Sequence, residues 1–155
     1  MLKKYYLAYG SNLNLEHMAQ RCPSAKPIGV TTLENHRLVY KGSADDFSYL
    51  TIEKGEGKSI PLGIFTVSPK DIPLLDRYEG YPELYSKNYI TVKIGDKPKK
   101  ALIYIMNQQF TYHLPSERYI ENCMMGYEDF GFDKKILEQA LLDTKENLSK
   151  RLVKR

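Results

Sequence analysis

The chain has 155 residues, a net charge of +4 and 27% charged against 42% hydrophobic residues, which suits one soluble domain over residues 1–155 and excludes a disordered polymer. No apolar run reaches the ~20 residues of a membrane span, and the tyrosine-rich start is unlike a signal peptide, so a cytoplasmic protein is expected. Cys22 and Cys123 are too few for a disulfide scaffold or a zinc site.

The charge is unevenly placed. Residues 134–155 hold seven basic and three acidic side chains, and the other 133 residues balance to zero. The body therefore offers no basic face for nucleic acid, and no nucleic-acid partner is expected. Thirteen tyrosines and no tryptophan supply large rings whose hydroxyls need partners when buried.

Taken in chain order, Lys3–Tyr9 reads as a first strand that stops at Gly10-Ser11-Asn12. A short helix follows, capped by Asn14, with Glu16 in its first turn and Pro23 beyond its end. Strand-like runs cover 27–32, 33–41, 47–53 and 60–67, with turns expected at Asp45-Asp46 and Gly55-Glu56-Gly57. Ser68-Pro69-Lys70-Asp71 predicts a helix start with Ser68 as cap, and Gly80 and Pro82 predict its stop, which puts Glu79 in the last turn. Strands are expected at 87–94 and 101–106, parted by Gly95–Pro98. Ser116 caps a helix expected to end at Gly126. Asp133 caps a last helix, residues 134–153, whose Ile136, Ala140, Leu141, Leu148 and Leu152 share one side. That side is expected to pack on the body rather than lie on a membrane, because it has no Phe or Trp to anchor in the interface. Consecutive strands, not alternating with helices, predict an α+β fold with a largely antiparallel sheet or barrel.

Three segments could carry chemistry. Tyr9-Gly10-Ser11-Asn12-Leu13 passes from strand to helix; such a turn exposes N–H groups to a carboxylate or carbonyl, and equally describes an ordinary capped turn. Glu79, between Tyr78 and Tyr81 at the unfavourable end of its helix, becomes a proton-transfer group if desolvated, or stays a solvated terminal glutamate. Pro115-Ser116-Glu117-Arg118-Tyr119 starts a helix with a tyrosine in its first turn, a common packing position. Other chemistries fail on spacing. His17, His36 and His113 show no metal-ligand pattern, Ser11 has no histidine partner, Cys123 sits inside a helix pattern, and the phosphate-binding glycine motifs are absent.

Together the three segments resemble the gamma-glutamylcyclotransferase-like family, including AIG2-like proteins. The residues that carry the likeness are Tyr9-Gly10-Ser11-Asn12-Leu13, Tyr78-Glu79-Gly80 with Tyr85, and Pro115-Ser116-x-x-Tyr119. The resemblance implies a small mixed β-barrel flanked by helices, with the C-terminal helix added. It implies cyclisation of a γ-glutamyl group to 5-oxoproline with release of the attached amine or amino acid. Glu79 would then be the general acid/base, and Tyr9, Gly10, Ser11, Asn12, Leu13, Tyr85, Tyr104 and Tyr119 would surround the substrate. No metal or cofactor is called for; the partner is a small γ-glutamyl molecule, no membrane partner is expected, and the protein would be a monomer or homodimer. The alternative on the same fold is a binding module that holds a small γ-glutamyl or carboxylated ligand without turning it over.

Overall fold

The computed structural model describes residues 4–43 and 47–153, with side chains through residue 150. The described residues form six strands in one sheet: β1 (Lys4–Ala8), β2 (Lys26–Ser43), β3 (Phe47–Val67), β4 (Tyr85–Ile94), β5 (Lys97–Met106) and β6 (Thr111–Tyr112). Four α-helices flank it: α1 (Leu15–Arg21), α2 (Asp71–Glu79), α3 (Glu117–Phe130) and α4 (Lys135–Val153), with a single 3-10 turn at Ser11–Leu13. The strand order is β4-β5-β1-β3-β2-β6. Only β1 and β5 run parallel; every other ladder is antiparallel. The sheet is mixed and curled into a half-barrel around a core that includes Leu7, Tyr40, Leu62, Phe65 and Ile103, in keeping with the α+β class expected from the consecutive strands and with the small mixed barrel that the resemblance implies. The expected turn at Asp45-Asp46 and the expected first strand residue Lys3 lie outside the described residues.

Two expected breaks are absent. Residues 27–32 and 33–41 form one strand, as do 47–53 and 60–67. Gly55-Glu56-Gly57 is not a reversal of the chain but part of a bulge. The register passes from Glu34↔Ser59 to His36↔Lys54, so four residues of β3 stand opposite Asn35. Asn35 takes φ 59° and Gly57 φ 76°, and the Asn35 side chain accepts the Gly57 N–H at 3.1 Å. Turns and bulges use the same residues for the same reason, access to positive φ.

Helix ends follow local chemistry. Asn14 caps α1 by accepting the His17 N–H, as expected. At α2 Ser68 does not act as the cap: the N-cap position is Lys70, which makes no side-chain cap bond, and Asp71 reaches back toward Ser68 instead. Its carboxylate accepts from the Ser68 N–H at 2.9 Å and from the Ser24 hydroxyl at 2.7 Å, and the helix begins at Asp71. A carboxylate is the stronger acceptor. The stop at Gly80 is as expected, with φ 64° and a Schellman pattern of Gly80 N–H to Arg77 O and Tyr81 N–H to Asp76 O. The same pattern ends α3 at Gly131, five residues later than expected. Gly126 is inside that helix because a Cβ there would stand 2.6 Å from the Asn14 nitrogen and 2.7 Å from Leu13. It lets α3 press directly on the loop that leaves β1.

The last helix packs along β2. Asp133 accepts the Lys135 N–H, as a cap does. The buried face is Leu137, Ala140, Asp143 and Thr144, with Ile136 and Leu141 partly covered, a slight rotation from the face read in sequence; the Leu152 side chain is outside the described set. Thr144 accepts the Tyr40 N–H at 2.9 Å, so α4 satisfies part of the β2 edge. Among the described residues no helix is long and apolar enough to cross a membrane.

Candidate active site

Topology brings the three motif segments to one end of the sheet. β1 and β5 are parallel, so both finish there. β4 pairs antiparallel with β5 and so starts there, with Tyr85 opposite Met106. The chain leaving β1 makes the Ser11–Leu13 turn, α2 delivers Glu79 at its last residue, and Ser116 caps α3 by accepting the Tyr119 N–H at 3.2 Å. The capping motif thus fixes Tyr119 in the first turn.

These elements enclose a cavity of about 110 Å³, several times the ~10–15 Å³ that a water needs. Tyr9, Gly10, Ser11, Asn12, Glu79, Tyr85, Tyr104 and Tyr119 all line it, joined by Tyr6, Leu7, Tyr49, Leu50, Tyr78 and Leu84. Seven of the thirteen tyrosines therefore face one cavity, which explains the composition. Leu13 is the exception among the expected site residues. It is fully buried in the core, and its N–H closes the turn onto Gly10 O at 3.0 Å. Gly10 keeps the wall open: a Cβ there would lie 3.3 Å from the Tyr119 hydroxyl.

The hydroxyls are tied to fixed partners. Tyr9 donates to Tyr104 O at 2.6 Å and Tyr85 donates to Leu50 O at 2.7 Å. Tyr119 accepts the Leu50 N–H at 3.0 Å. Tyr104 donates to Asp76 Oδ1 at 2.6 Å, and Lys87 holds the other Asp76 oxygen at 2.7 Å. Burial pushes the Tyr6, Tyr9, Tyr85, Tyr104 and Tyr119 hydroxyls above their ordinary range, so they stay neutral. The wall is stiff and polar, and it carries little charge.

Glu79 contributes the carboxyl of the lining. As a whole residue it is half-buried, but its carboxyl end is enclosed by the tyrosines. Burial pushes its proton affinity up to about 8, opposed by the Arg21 guanidinium. Its Oε1 accepts from Asn12 Nδ2 at 3.2 Å, and the same Nδ2 donates to the Tyr6 hydroxyl at 2.8 Å. The arrangement can take a proton and return it. Ser11 and Asn12 line the same cavity, and the Ser11–Leu13 turn begins with N–H groups that a helical turn cannot pair internally.

No local sequence pattern marks Tyr6, Tyr49 or Tyr78 as lining residues, nor Arg21 as the partner of Asn12 and Tyr78. Tyr78 stood inside a motif, and its neighbour Glu79 was the available signal. Arg21 closes α1, and nothing local ties it to Tyr78 or Asn12.

The profile of the family described as "Gamma-glutamyl cyclotransferase, AIG2-like" matches residues 6–122, from β1 into α3. No curated protein sequence matches the chain significantly. Among solved structures, one described as "Gamma-glutamyl cyclotransferase" superposes with a TM-score of 0.78 at 22% identity, covering 90% of this chain and 86% of its own. A Homo sapiens protein, described as uncharacterized, superposes with a TM-score of 0.77 at 24% identity, covering 89% and 86%. An AIG2-like protein of Mus musculus reaches a TM-score of 0.55 at 17% identity, covering 77% and 84%. At these identities the likenesses establish the fold.

Proposed function

The chain belongs to the gamma-glutamyl cyclotransferase, AIG2-like family, and on that premise we propose that it cyclises a γ-glutamyl group to 5-oxoproline and releases the attached amine, with Glu79 as general acid/base. The observation that carries this reading is the Glu79 carboxyl, enclosed by tyrosines, with its proton held up to about 8. A site built only to hold an anionic ligand gains nothing from a carboxylate there.

The chemistry needs little beyond position and one proton carrier. The γ-glutamyl group contains both nucleophile and electrophile, and folding it into a near-attack shape is worth roughly 7–11 kcal/mol in well-oriented intramolecular reactions. Glu79 as carboxylate takes a proton from the α-ammonium. The freed nitrogen pair forms a bond to the γ-carbonyl carbon, and the carbonyl π pair moves onto oxygen. Backbone N–H groups of the Tyr9–Leu13 segment, Leu13's apart, would stabilise that oxyanion or hold the α-carboxylate. When the tetrahedral carbon collapses, its bond to the leaving nitrogen breaks and Glu79 returns the first proton to that nitrogen; Glu79 then takes the second proton from the ring nitrogen and passes it to the released amine, which leaves as an ammonium. Atoms balance without water: one γ-glutamyl amide gives one lactam and one amine. The tied tyrosines and Gly10 shape the space; Ser11 and Asn12 add polar contacts.

The test is 5-oxoproline release from γ-glutamyl amino acids, γ-glutamyl-ε-lysine and glutathione, for the wild type and Glu79→Gln. The wild type should turn over at least one of them, with kcat/KM rising with pH through a limb near 8 as the free-enzyme carboxyl ionises. Glu79→Gln should lose about 10²–10⁴ in kcat. An active wild type whose Glu79→Gln variant keeps full kcat removes Glu79 from the mechanism. Saturable binding of 5-oxoproline with no turnover of any substrate makes the protein a binding module instead.

A further inference from the structure

Arg21 is outside the cavity wall yet touches two residues that form it. Its guanidinium donates from Nη1 to Asn12 Oδ1, and its Cζ stands 3.5 Å from the centroid of the Tyr78 ring. A guanidinium has donors and no acceptor. The Asn12 amide must therefore turn its oxygen toward Arg21, which leaves its NH2 facing the Tyr6 hydroxyl at 2.8 Å and Glu79 Oε1 at 3.2 Å. With the amide turned the other way, Oδ1 would face Glu79 Oε1, an arrangement that only a protonated acid tolerates. The second contact acts on Tyr78, whose ring lies beneath the cation while its hydroxyl meets Ser11 Oγ at 2.9 Å.

The other groups facing Glu79 cannot replace this. Tyr6, Tyr9, Tyr85 and Tyr104 from the sheet end, Tyr78 from its own helix and Tyr119 from α3 are neutral hydroxyls. The Asp76 carboxylate, also on α2, is already held by Lys87 and Tyr104. We propose that Arg21 is a positioning residue for Glu79: it locks the Asn12 amide with its NH2 toward the carboxylate and braces Tyr78 against the loop, so that Glu79 is held ready to take a proton. This inference rests on the reading of Glu79 as the acid/base. The charge of Arg21, which opposes the upward push of burial on Glu79, acts in the same direction as the lock.

Two variants separate the contributions. Arg21→Met keeps the stem and removes both cation and donors; Arg21→Lys keeps the charge and loses the planar fork. The primary readout is the 13C NMR titration of the Glu79 carboxyl in ligand-free protein, with the signal assigned by its absence in Glu79→Gln. Arg21→Met should move the midpoint upward by about one pH unit, leaving about tenfold less carboxylate at pH 7. The acid limb of kcat/KM should move with it, with a roughly tenfold loss at pH 7 and a thermal midpoint within a few degrees of the wild type. Arg21→Lys should shift the midpoint less but still lose at least about fivefold in kcat, because one ammonium cannot both cover the ring and fix the amide. An unchanged titration midpoint in Arg21→Met overturns the proposal. Should that variant not fold, Arg21→Lys with wild-type kcat and a wild-type midpoint overturns it. If the wild type cyclises no γ-glutamyl compound, the proposed activity fails by itself, and the titration still decides the role of Arg21.

Discussion

Removing the Glu79 charge should make the protein more stable, and only at the right pH. The carboxyl holds its proton to about 8 in the fold, against 4.5 for the free side chain, because burial penalises the ionised form. A raised carboxyl favours the fold while protonated in both states, below about 4.5; that contribution is lost as pH rises, and the loss is complete above about 8. The gap from 4.5 to about 8 is about 3.5 pH units, which corresponds to ~5 kcal/mol at ~1.4 kcal/mol each. Glu79 is half-buried as a residue, so solvent screens part of this, and about 2–3 kcal/mol is the expected order. Glu79→Gln has the same size, keeps an oxygen for the Asn12 NH2, and does not ionise. Melting curves of the two proteins should coincide near pH 4.5 and separate up to about pH 8.5, with the variant higher by roughly 5–10 °C at ~2–4 °C per kcal/mol. A difference that stays constant from pH 5 to 9 would falsify the claim that burial holds the Glu79 proton. A variant less stable than the wild type at pH 8.5 would mean the carboxylate has a favourable partner in the fold.

Two further substitutions test how the site is supported. Gly126→Ala places a Cβ 2.6 Å from the Asn14 nitrogen, where backbone must yield; it should cost about 1–3 kcal/mol in denaturant titrations and weaken 5-oxoproline binding, since the displaced loop carries Ser11 and Asn12. Unchanged stability and unchanged binding would mean α3 does not press on that loop. Thr144→Val keeps the shape of α4 but leaves the buried Tyr40 N–H without its acceptor, which should lower stability by about 1–3 kcal/mol with kcat little altered; a neutral result would show that α4 is not closing that edge of β2.

What could be read from the sequence divides along sequence separation. Glu79 at a helix end, Ser116 as the cap that fixes Tyr119, and the abrupt exit from β1 at Gly10 are written in three to five adjacent residues, and local chemistry was enough to find them. The bulge at 55–58 misled because its glycines serve the same backbone need as a turn, and only the partner Asn35, about twenty residues away, decides between the two. Gly126 misled for a stronger reason. A glycine near the end of an apolar pattern reads as a terminator, but its purpose is to admit Leu13 and Asn14, more than a hundred residues earlier in the chain. The same limit hid Arg21. Its partners Asn12 and Tyr78 lie on either side of it in sequence, nine residues before and 57 after, and neither spacing follows a helix or strand period. The motif residues could therefore be found one at a time, whereas the contacts of Arg21 with Asn12 and Tyr78 follow only from the packing of α1, α2 and the β1 loop against each other. It follows that substitutions at residues outside the motifs, Arg21 above all, should alter the pH dependence of the site more than its ability to bind, since they act on the orientation of groups already in place.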